Sequence, residues 1–144
     1  AARAGETRRG RYPWGEGPGG CERAVVRDAA RGDGCGLGGT APVCSRPAGD
    51  TPRGLCDVLG NVWEWVMDEH HPSFEGAPLS HEPWVTSPLE RWAEVPRVVR
   101  GVAFDDRDLP RLARRNHYPP ATRLASVGFR VARGRGRVVE LREP

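Results

Sequence analysis

Residues 54–68 read Gly-Leu-Cys-Asp-Val-Leu-Gly-Asn-Val-Trp-Glu-Trp-Val-Met-Asp, and this stretch decides the fold. It is the first strongly apolar block of the chain. The segment 62–66 combines β-branched and aromatic residues, which predicts a strand. The carboxylate of Asp57 precedes this segment and that of Glu64 lies within it, so the two flank a glycine turn at Gly60. We therefore expect a turn that leads directly into a strand.

The rest of the chain predicts few, short strands between long loops. The segments 97–101 and 127–132 are the two other strand candidates, and the second shows clear apolar alternation. The glycine-rich stretch 31–39 and the segment 73–88 predict irregular loops. The weaker expectations are a short strand at Val43-Cys44, a short helix or turn over 109–115, and a strand or tail over 137–141. Loops of this length usually carry function or need to be pinned.

Length and composition limit the possible classes of protein. The chain has 144 residues, which favours one domain with a real core. Gly and Pro supply 19 and 14 residues, just below the roughly 25–30% that signals disorder. No segment reaches the roughly 18–20 apolar residues of a membrane span, and no signal peptide is recognisable.

The basic residues do not indicate a nucleic-acid-binding protein. All 22 basic residues are arginine and the net charge is only +3. Acidic residues are interspersed among them, and no basic stripe carries interleaved aromatic residues. The arginine surplus, together with the absence of Lys and Ile, indicates a coding bias rather than a nucleic-acid partner.

Four cysteines, Cys21, Cys35, Cys44 and Cys56, all lie in the first half of the chain. They form no close pairs of the kind that zinc sites use. Two disulfides are the favoured interpretation, and four cysteines allow three connectivities. We favour pairing between sequence neighbours, Cys21 with Cys35 and Cys44 with Cys56. Disulfides indicate an exported protein, in the periplasm, on the cell surface or secreted.

Three blocks together resemble one known family. They are residues 54–68, the Arg-Val-Val-Arg-Gly of residues 97–101, and the Gly-Phe-Arg-Val-Ala-Arg of residues 128–133. In this order and spacing they are similar to the formylglycine-generating enzyme family, also called the sulfatase-modifying factor family. The Tyr-Pro-Trp-Gly of residues 12–15 and the Ala-Pro-Val of residues 41–43 also match the family's pattern.

The resemblance implies a fold and a domain organisation. The expected fold is α+β, irregular and C-type-lectin-like, with few short strands, long loops and little helix. The resemblance runs over essentially the whole chain but corresponds to the C-terminal portion of the family's domain. Because the chain also starts at Ala1 rather than Met, we expect residues 1–144 to be a single, N-terminally incomplete domain. Family members are often fused to other domains.

The resemblance also implies a calcium site. Its ligands would be the side chains of Asp57 and Glu64 and the carbonyls of Gly60 and Val62, all oxygen donors that suit calcium. The alternative interpretation is that Glu64 is a buried carboxylate paired with an arginine and that Asp57 caps a turn.

A second calcium site, found upstream in some family members, is not expected here. Cys35 stands where that site needs a carboxylate, and the preceding ligand positions fall near Val25 and Val26. We hypothesise that a Cys21–Cys35 disulfide replaces the metal as the clamp of this loop, since both devices reduce the entropy of a long loop.

The family's oxidase chemistry is not expected in this chain. Its enzymes oxidise a substrate cysteine with a pair of copper(I)-binding cysteines, because thiolates suit that soft ion. The corresponding positions hold Asp106 and Arg111, and no cysteine follows Cys56. Copper is therefore unlikely as a cofactor, whereas calcium is expected. The adjacent His70 and His71 are interpreted as part of a solvated loop, not as a metal site.

The surface between residues 101 and 128 is the expected ligand face. One of Trp63 and Trp65 is expected in the core while the other lines the ligand cleft. The candidate ligand-binding residues are Trp63, Asp105, Asp106, Arg111, Arg114, His117 and Tyr118. An unknown protein or a small molecule is the expected partner.

The sequence thus favours a non-catalytic, calcium-stabilised binding module. Three alternatives stay open. One is an active enzyme of the family, with formylglycine-type or altered chemistry in the full-length protein. Another is a structural module appended to a signalling protein, such as a kinase fusion. The third is a lectin-like binding protein of the kind that retroelements diversify.

Overall fold

The computed structural model describes residues 11–17, 19–80, 82–107 and 113–132. Within these residues four strands form one sheet: β1 (Trp63–Glu69), β2 (Arg97–Arg100), β3 (Arg115–Tyr118) and β4 (Val127–Phe129). The only helical segments there are three short 3-10 turns at Asp33–Gly36, Pro47–Gly49 and Leu89–Arg91. This is the irregular architecture with little helix that the sequence predicts.

The strands lie in the order β3-β2-β1-β4. β1 pairs antiparallel with β2, and β2 pairs antiparallel with β3. β4 runs parallel to β1, with Trp63 beside Val127 and Glu64 beside Gly128. The parallel pairing brings the third sequence block of the family pattern next to the first, although more than 60 positions separate them in the chain.

The core forms where β1 and β2 meet three loops. Its buried members are Ala24, Val26, Leu59, Trp63, Val99, Val102 and Ala103. Most of these residues belong to loops or strand ends, so the loops themselves build the core. Such loops need specific pins, because an unpaired buried backbone group costs free energy.

Asn61 is one of these pins. It is 6% exposed, and its side-chain amide bonds both the N–H and the carbonyl of Ala41, at 3.0 and 3.1 Å. Its own N–H donates to the carbonyl of Val25, and its carbonyl accepts from the N–H of Phe104. One residue therefore joins three loops.

Gly60 allows this close approach. Its φ is +91°, and a Cβ atom there would lie 2.7 Å from the backbone nitrogen of Val25. Only glycine meets both conditions, the positive φ and the missing Cβ, without strain.

The three predicted strands are confirmed, with shifted ends. The first extends to Glu69 rather than Val66, and the third ends at Phe129 instead of continuing to residue 132. The strand expected at Val43-Cys44 is wrong: these residues form a turn in which Cys44 has a φ of 58°. β3 was not predicted, and it begins at Arg115, the last residue of the expected helix or turn.

Two expectations cannot be compared with the structure. Residues 109–112 of the expected helix or turn and the strand or tail over 137–141 lie outside the described residues. Among the residues that the structure describes, no helix has both the length and the apolar character needed to cross a membrane.

Candidate functional site

The structure forms both disulfides that the sequence favours. Cys21 bonds Cys35 and Cys44 bonds Cys56, with Cα–Cα distances of 5.7 and 5.1 Å. No cysteine is left free. The chain as folded therefore has no thiol available as a metal ligand or a nucleophile.

Asp57 closes a loop next to the second disulfide. Its φ is 49°, and its Oδ2 accepts a 2.6 Å hydrogen bond from the backbone N–H of Cys44. The disulfide joins Cys44 to Cys56, the neighbour of Asp57. The covalent bond and the hydrogen bond together fix the start of the turn that leads into β1.

Glu64 and Arg130 form an ion pair across β1 and β4. The Nε of Arg130 donates to one carboxylate oxygen of Glu64 at 2.7 Å, and its Nη2 donates to the other. The same Nη2 reaches the carbonyl of Asp57 at 3.2 Å. The hydrogen bond to Glu64 raises the pKa of the Arg130 guanidinium, although burial opposes the shift. The guanidinium therefore ties the turn to β4.

This geometry tests the expected calcium site. The four residues offer oxygen donors of the right chemistry, but both oxygens of Glu64 already accept from Arg130 and Oδ2 of Asp57 accepts from Cys44. The carbonyl of Gly60 accepts from the N–H of Val62 at 3.0 Å. Neither carboxylate has a buried oxygen without a partner. In this arrangement the residues do not fit a calcium ion, which would have to displace Arg130, and calcium binding stays a prediction.

The upstream loop is closed by the first disulfide. The Sγ of Cys35 lies 3.4 Å from the carbonyl oxygens of both Ala24 and Val26, and the backbone N–H of Cys35 donates to Val26 at 2.8 Å. A sulfur atom thus lies where two backbone carbonyls converge. This contact agrees with the hypothesis that the disulfide stands in for a metal clamp, which stays a hypothesis.

Asp106 closes a turn in the loop after β2. Its Oδ2 accepts the N–H of Ala103 at 2.9 Å, and its backbone carbonyl accepts the N–H of Arg27. Asp105 and Arg107 on either side are exposed. Of the residues expected on the ligand face, Asp105 and Asp106 therefore share one short loop, and Arg111 lies outside the described residues.

Trp63, one of the residues expected to bind ligand, is a core residue with 4% of its surface exposed, and its contact with a ligand stays a prediction. Trp65 also packs against the core. Residues two apart on a strand point to the same face, so the pair cannot divide between core and cleft. The guanidinium of Arg114 lies over the Trp63 ring, 5.4 Å from its centroid.

The remaining expected ligand residues separate into two environments. Tyr118 is half-buried and packs edge-on against Trp65 at 6.3 Å. His117 is exposed, and its ring stacks on that of His70 at 3.6 Å.

The interpretation of His70 and His71 as a solvated loop is wrong, since both are half-buried. His71 stacks on Trp84 at 3.7 Å, and Arg115 donates to the carbonyl of His71 at 3.0 Å. Burial lowers the pKa of His70, with further lowering by the charges of His117, Arg115 and His71. No local pattern could reveal this cluster, because its members come from three distant segments.

Comparisons with known proteins place the chain in a family. The family described as "Sulfatase-modifying factor enzyme 1-like domain" matches residues 1–135. The chain is 45% identical over 78 residues to a protein of Mycobacterium tuberculosis named formylglycine-generating enzyme, covering 50% of this chain and 25% of that protein. It is 38% identical over 98 residues to the serine/threonine-protein kinase pkn1 of Chlamydia caviae, covering 66% of this chain and 15% of the kinase.

Two solved structures share the fold. PvdO from Pseudomonas aeruginosa aligns with a TM-score of 0.65 and 29% identity, over 83% of this chain and 42% of PvdO. CarF aligns with a TM-score of 0.55 and 21% identity, over 83% of this chain and 35% of CarF. The chain spans a quarter or less of the curated relatives it matches and less than half of these structures. Because the family description covers nearly all of its residues, the chain belongs to the sulfatase-modifying factor, or formylglycine-generating enzyme, family.

Proposed function

We propose that this chain is a non-catalytic binding module of its family, which presents the loop after β2 and its surroundings to a small-molecule or protein ligand. One observation carries the proposal: every cysteine is held in a disulfide. The position expected for one copper ligand holds Asp106, whose carboxylate closes a turn. Copper(I) selects thiolates over carboxylates, so the residues needed for the oxidase chemistry are missing.

Exposed charges on a fixed loop support the binding role. The carboxylate of Asp105 and the guanidinium of Arg107 are exposed, while Asp106 between them anchors the turn to Ala103 and Arg27. Recognition residues commonly lie on loops that a rigid scaffold holds in place.

A second candidate is an enzyme of the family with altered chemistry, which the 45% identity to a formylglycine-generating enzyme favours. The thiols of Cys21 and Cys35 are the nearest source of copper ligands for this candidate. Their loop contacts the loop after β2, because the N–H of Gly34 donates to the carbonyl of Phe104 at 2.9 Å. Reduction of the disulfide would release both thiols there.

Copper(I) titration separates the two candidates. The chain is titrated with copper(I) against a chelator of known affinity, once oxidised and once with its disulfides reduced. Each form is then incubated with a cysteine-containing sulfatase-type peptide. We expect no tight copper binding by the oxidised chain and no conversion of the peptide cysteine by either form, measured by mass spectrometry. Copper binding with conversion of the peptide would overturn the proposal. Loss of that activity in a Cys21→Ser/Cys35→Ser variant would assign it to the released thiols.

The proposal extends to location and context. Two disulfides support an exported module, and the similarity to a serine/threonine-protein kinase supports fusion to other domains in a longer protein. Alkylation of the chain in its native cells, before any reductant is added, tests the location. Protected cysteines are expected, and free cysteines would contradict export.

A further inference from the structure

A charged cleft lies between the upstream loop and the loop after β2. It is lined by Arg27, Asp28, Ala29, Gly32, Asp33 and Arg107 and has a volume of about 610 Å³. Its volume falls in the range of ligand-binding pockets, roughly 300–1,000 Å³. The lining contains no aromatic or large aliphatic side chain, and four of its six residues are charged, which favours a hydrophilic occupant.

The walls of the cleft are held in place by hydrogen bonds. Asp28 and Gly32 exchange two backbone hydrogen bonds, at 2.9 and 2.8 Å. The Oδ1 of Asp28 also accepts the N–H groups of Ala30 and Arg31, at 3.0 and 2.9 Å. Across the cleft, the N–H of Arg27 donates to Asp106. A site built this way loses little entropy when a ligand binds.

Both oxygens of Asp33 and one oxygen of Asp28 already have partners. The Nε and Nη2 of Arg27 donate to the two oxygens of Asp33, the second at 2.9 Å, and Asp28 accepts two backbone N–H groups. The hydrogen bond from Arg27 holds the pKa of Asp33 below its ordinary value against the effect of burial, and the charges of Arg27 and Arg107 lower it further. Asp33 therefore stays ionised and bound to Arg27.

The guanidinium groups, in contrast, have donors to spare. A guanidinium carries five N–H donors, and Arg27 uses two of them on Asp33. The Arg107 side chain is exposed, and among residues 11–17, 19–80, 82–107 and 113–132 it makes no hydrogen bond or ion pair. The unused cationic donors of the cleft therefore belong to these two guanidinium groups, and an oxyanion is the ligand group that suits them.

We propose that this cleft binds a hydrophilic small molecule through an oxyanion, with the free N–H groups of Arg107 and Arg27 as its donors. A sugar phosphate and a sugar acid both carry this chemistry. The inference rests on the proposed binding function and names the class of ligand. Asp105, whose charge acts on Arg27, lies near the cleft and disfavours a second negative group in the ligand.

Isothermal titration with four matched sugars tests the inference. Glucose 6-phosphate and glucuronate carry an oxyanion, glucose is the neutral control, and glucosamine is the cationic control. We expect at least one acidic sugar to bind and the two controls not to bind. An Arg107→Gln variant is expected to weaken binding about tenfold or more, since a hydrogen bond to a charged group is lost.

Arg31→Gln is the matched control. Arg31 is exposed on the turn between Asp28 and Gly32, which forms one wall of the cleft, but its side chain does not line the cleft. The affinity of Arg31→Gln for the acidic sugar should stay within about twofold of the wild-type value. Loss of a hydrogen bond to a charged group would change the affinity by more than this. Binding of glucose 6-phosphate alone or glucuronate alone would identify the oxyanion. Equal binding of glucose or glucosamine, no binding of either acidic sugar, or an unchanged affinity in Arg107→Gln would overturn the inference. Such a result would leave the proposed function in place, because the copper(I) titration tests that function separately.

Discussion

Arg130 is the residue that most changes the interpretation of the sequence. The motif around Glu64 left two possibilities open, a calcium ligand or a carboxylate paired with an arginine. The structure contains the ion pair, with both Glu64 oxygens and the Asp57 carbonyl accepting from one guanidinium. The motif alone could not decide, because Arg130 is 66 residues away and reaches Glu64 only through the parallel pairing of β1 and β4.

Replacing Arg130 tests which cation holds this turn. In the wild type we expect the melting temperature to be unchanged by calcium or by a chelator, because the guanidinium occupies the Glu64 carboxylate. Arg130→Gln should cost about 1 kcal/mol, a small amount for a partly exposed pair. Calcium should then stabilise the variant, since the freed oxygens suit that ion. Thermal melts with and without calcium measure both effects.

Arg123→Gln is the control, because Arg123 is exposed. It should melt like the wild type under all conditions. A wild-type protein that loses stability on chelation would instead establish a resident calcium ion.

Asn61 shows how much one polar residue contributes to this fold. Replacing it with alanine removes both bonds to Ala41 and leaves that buried backbone without partners. It also places alanine at a φ of 70°, a backbone conformation that asparagine tolerates better than alanine does. We expect Asn61→Ala to lower the free energy of unfolding by about 2–4 kcal/mol, measured by urea denaturation.

Asn116→Ala provides a comparison, because Asn116 is half-buried on the β3 strand and also makes two side-chain hydrogen bonds. Its amide nitrogen reaches the hydroxyl of Tyr118 at 3.3 Å, and its Oδ1 accepts the N–H of the exposed His117 at 2.8 Å. Its loss should cost clearly less. Equal losses would show that the bonds to Ala41 are not what makes Asn61 important.

At the scale of elements, a buried ion pair fastens the segment 84–97 to the sheet. Glu69 ends β1 and Arg97 begins β2, and their side chains are 2% and 4% exposed, with Nη1 and Oε1 3.4 Å apart. Glu69 also accepts from the N–H and hydroxyl of Thr86 and from the N–H of Ser87. Arg97 stacks on Trp92 at 3.6 Å. One carboxylate and one guanidinium thus organise a segment with little regular structure.

This anchor makes stability depend on pH. Burial raises the pKa of Glu69, but the hydrogen bonds from Thr86 and Ser87 outweigh it and lower the pKa to about 2 from an ordinary 4.5. Because the folded pKa is depressed, the contribution is complete above about pH 4.5 and is lost as the pH falls toward 2. Glu69→Gln should cost about 3 kcal/mol at neutral pH, since it leaves Arg97 buried without its charge partner.

The same variant should flatten the decline of stability between pH 4.5 and 2, measured by urea denaturation at each pH. Glu75→Gln, at an exposed position in the segment between β1 and β2, should follow the wild-type profile. An unchanged slope in Glu69→Gln would mean that other carboxylates cause the acid sensitivity.

Local patterns found the three strands that contain Val, Phe or Trp and missed the one that contains none of them. β2 carries Val98 and Val99, which are 1% and 0% exposed, and its sequence predicts a strand. β3 reads Arg-Asn-His-Tyr and lies at the edge of the sheet, so no apolar alternation marks it. Its pairing with β2, Val99 beside Asn116 and Arg100 beside Arg115, is a long-range property.

At the scale of the whole molecule, the fold followed from a family resemblance rather than from periodicity. Four strands of three to seven residues make a small sheet, and the loops around Ala24, Leu59 and Val102 complete the core. Long loops cost conformational entropy on folding. The contacts that offset this cost include the disulfides, the Asn61 amide and the ion pairs Glu64–Arg130 and Glu69–Arg97. The disulfides follow from pairing neighbouring cysteines, whereas the partners of Asn61, Glu64 and Glu69 lie in distant segments that local sequence does not reveal.

The two disulfides should therefore contribute unequally to stability. They close loops of similar length, with sequence separations of 14 and 12, so the entropy model gives each about 3 kcal/mol. Their surroundings differ: Cys35 packs against the core, whereas Cys44 is exposed. We expect Cys21→Ser/Cys35→Ser to destabilise the protein more than Cys44→Ser/Cys56→Ser in urea denaturation, because it also places a polar hydroxyl beside the core.

Hydrogen exchange should then rise over residues 28–36, the wall of the charged cleft, in the first variant only. If the two variants lost equal stability and hydrogen exchange rose only over residues 44–57, loop entropy alone would determine the effect. The first disulfide would then have no special role as a clamp.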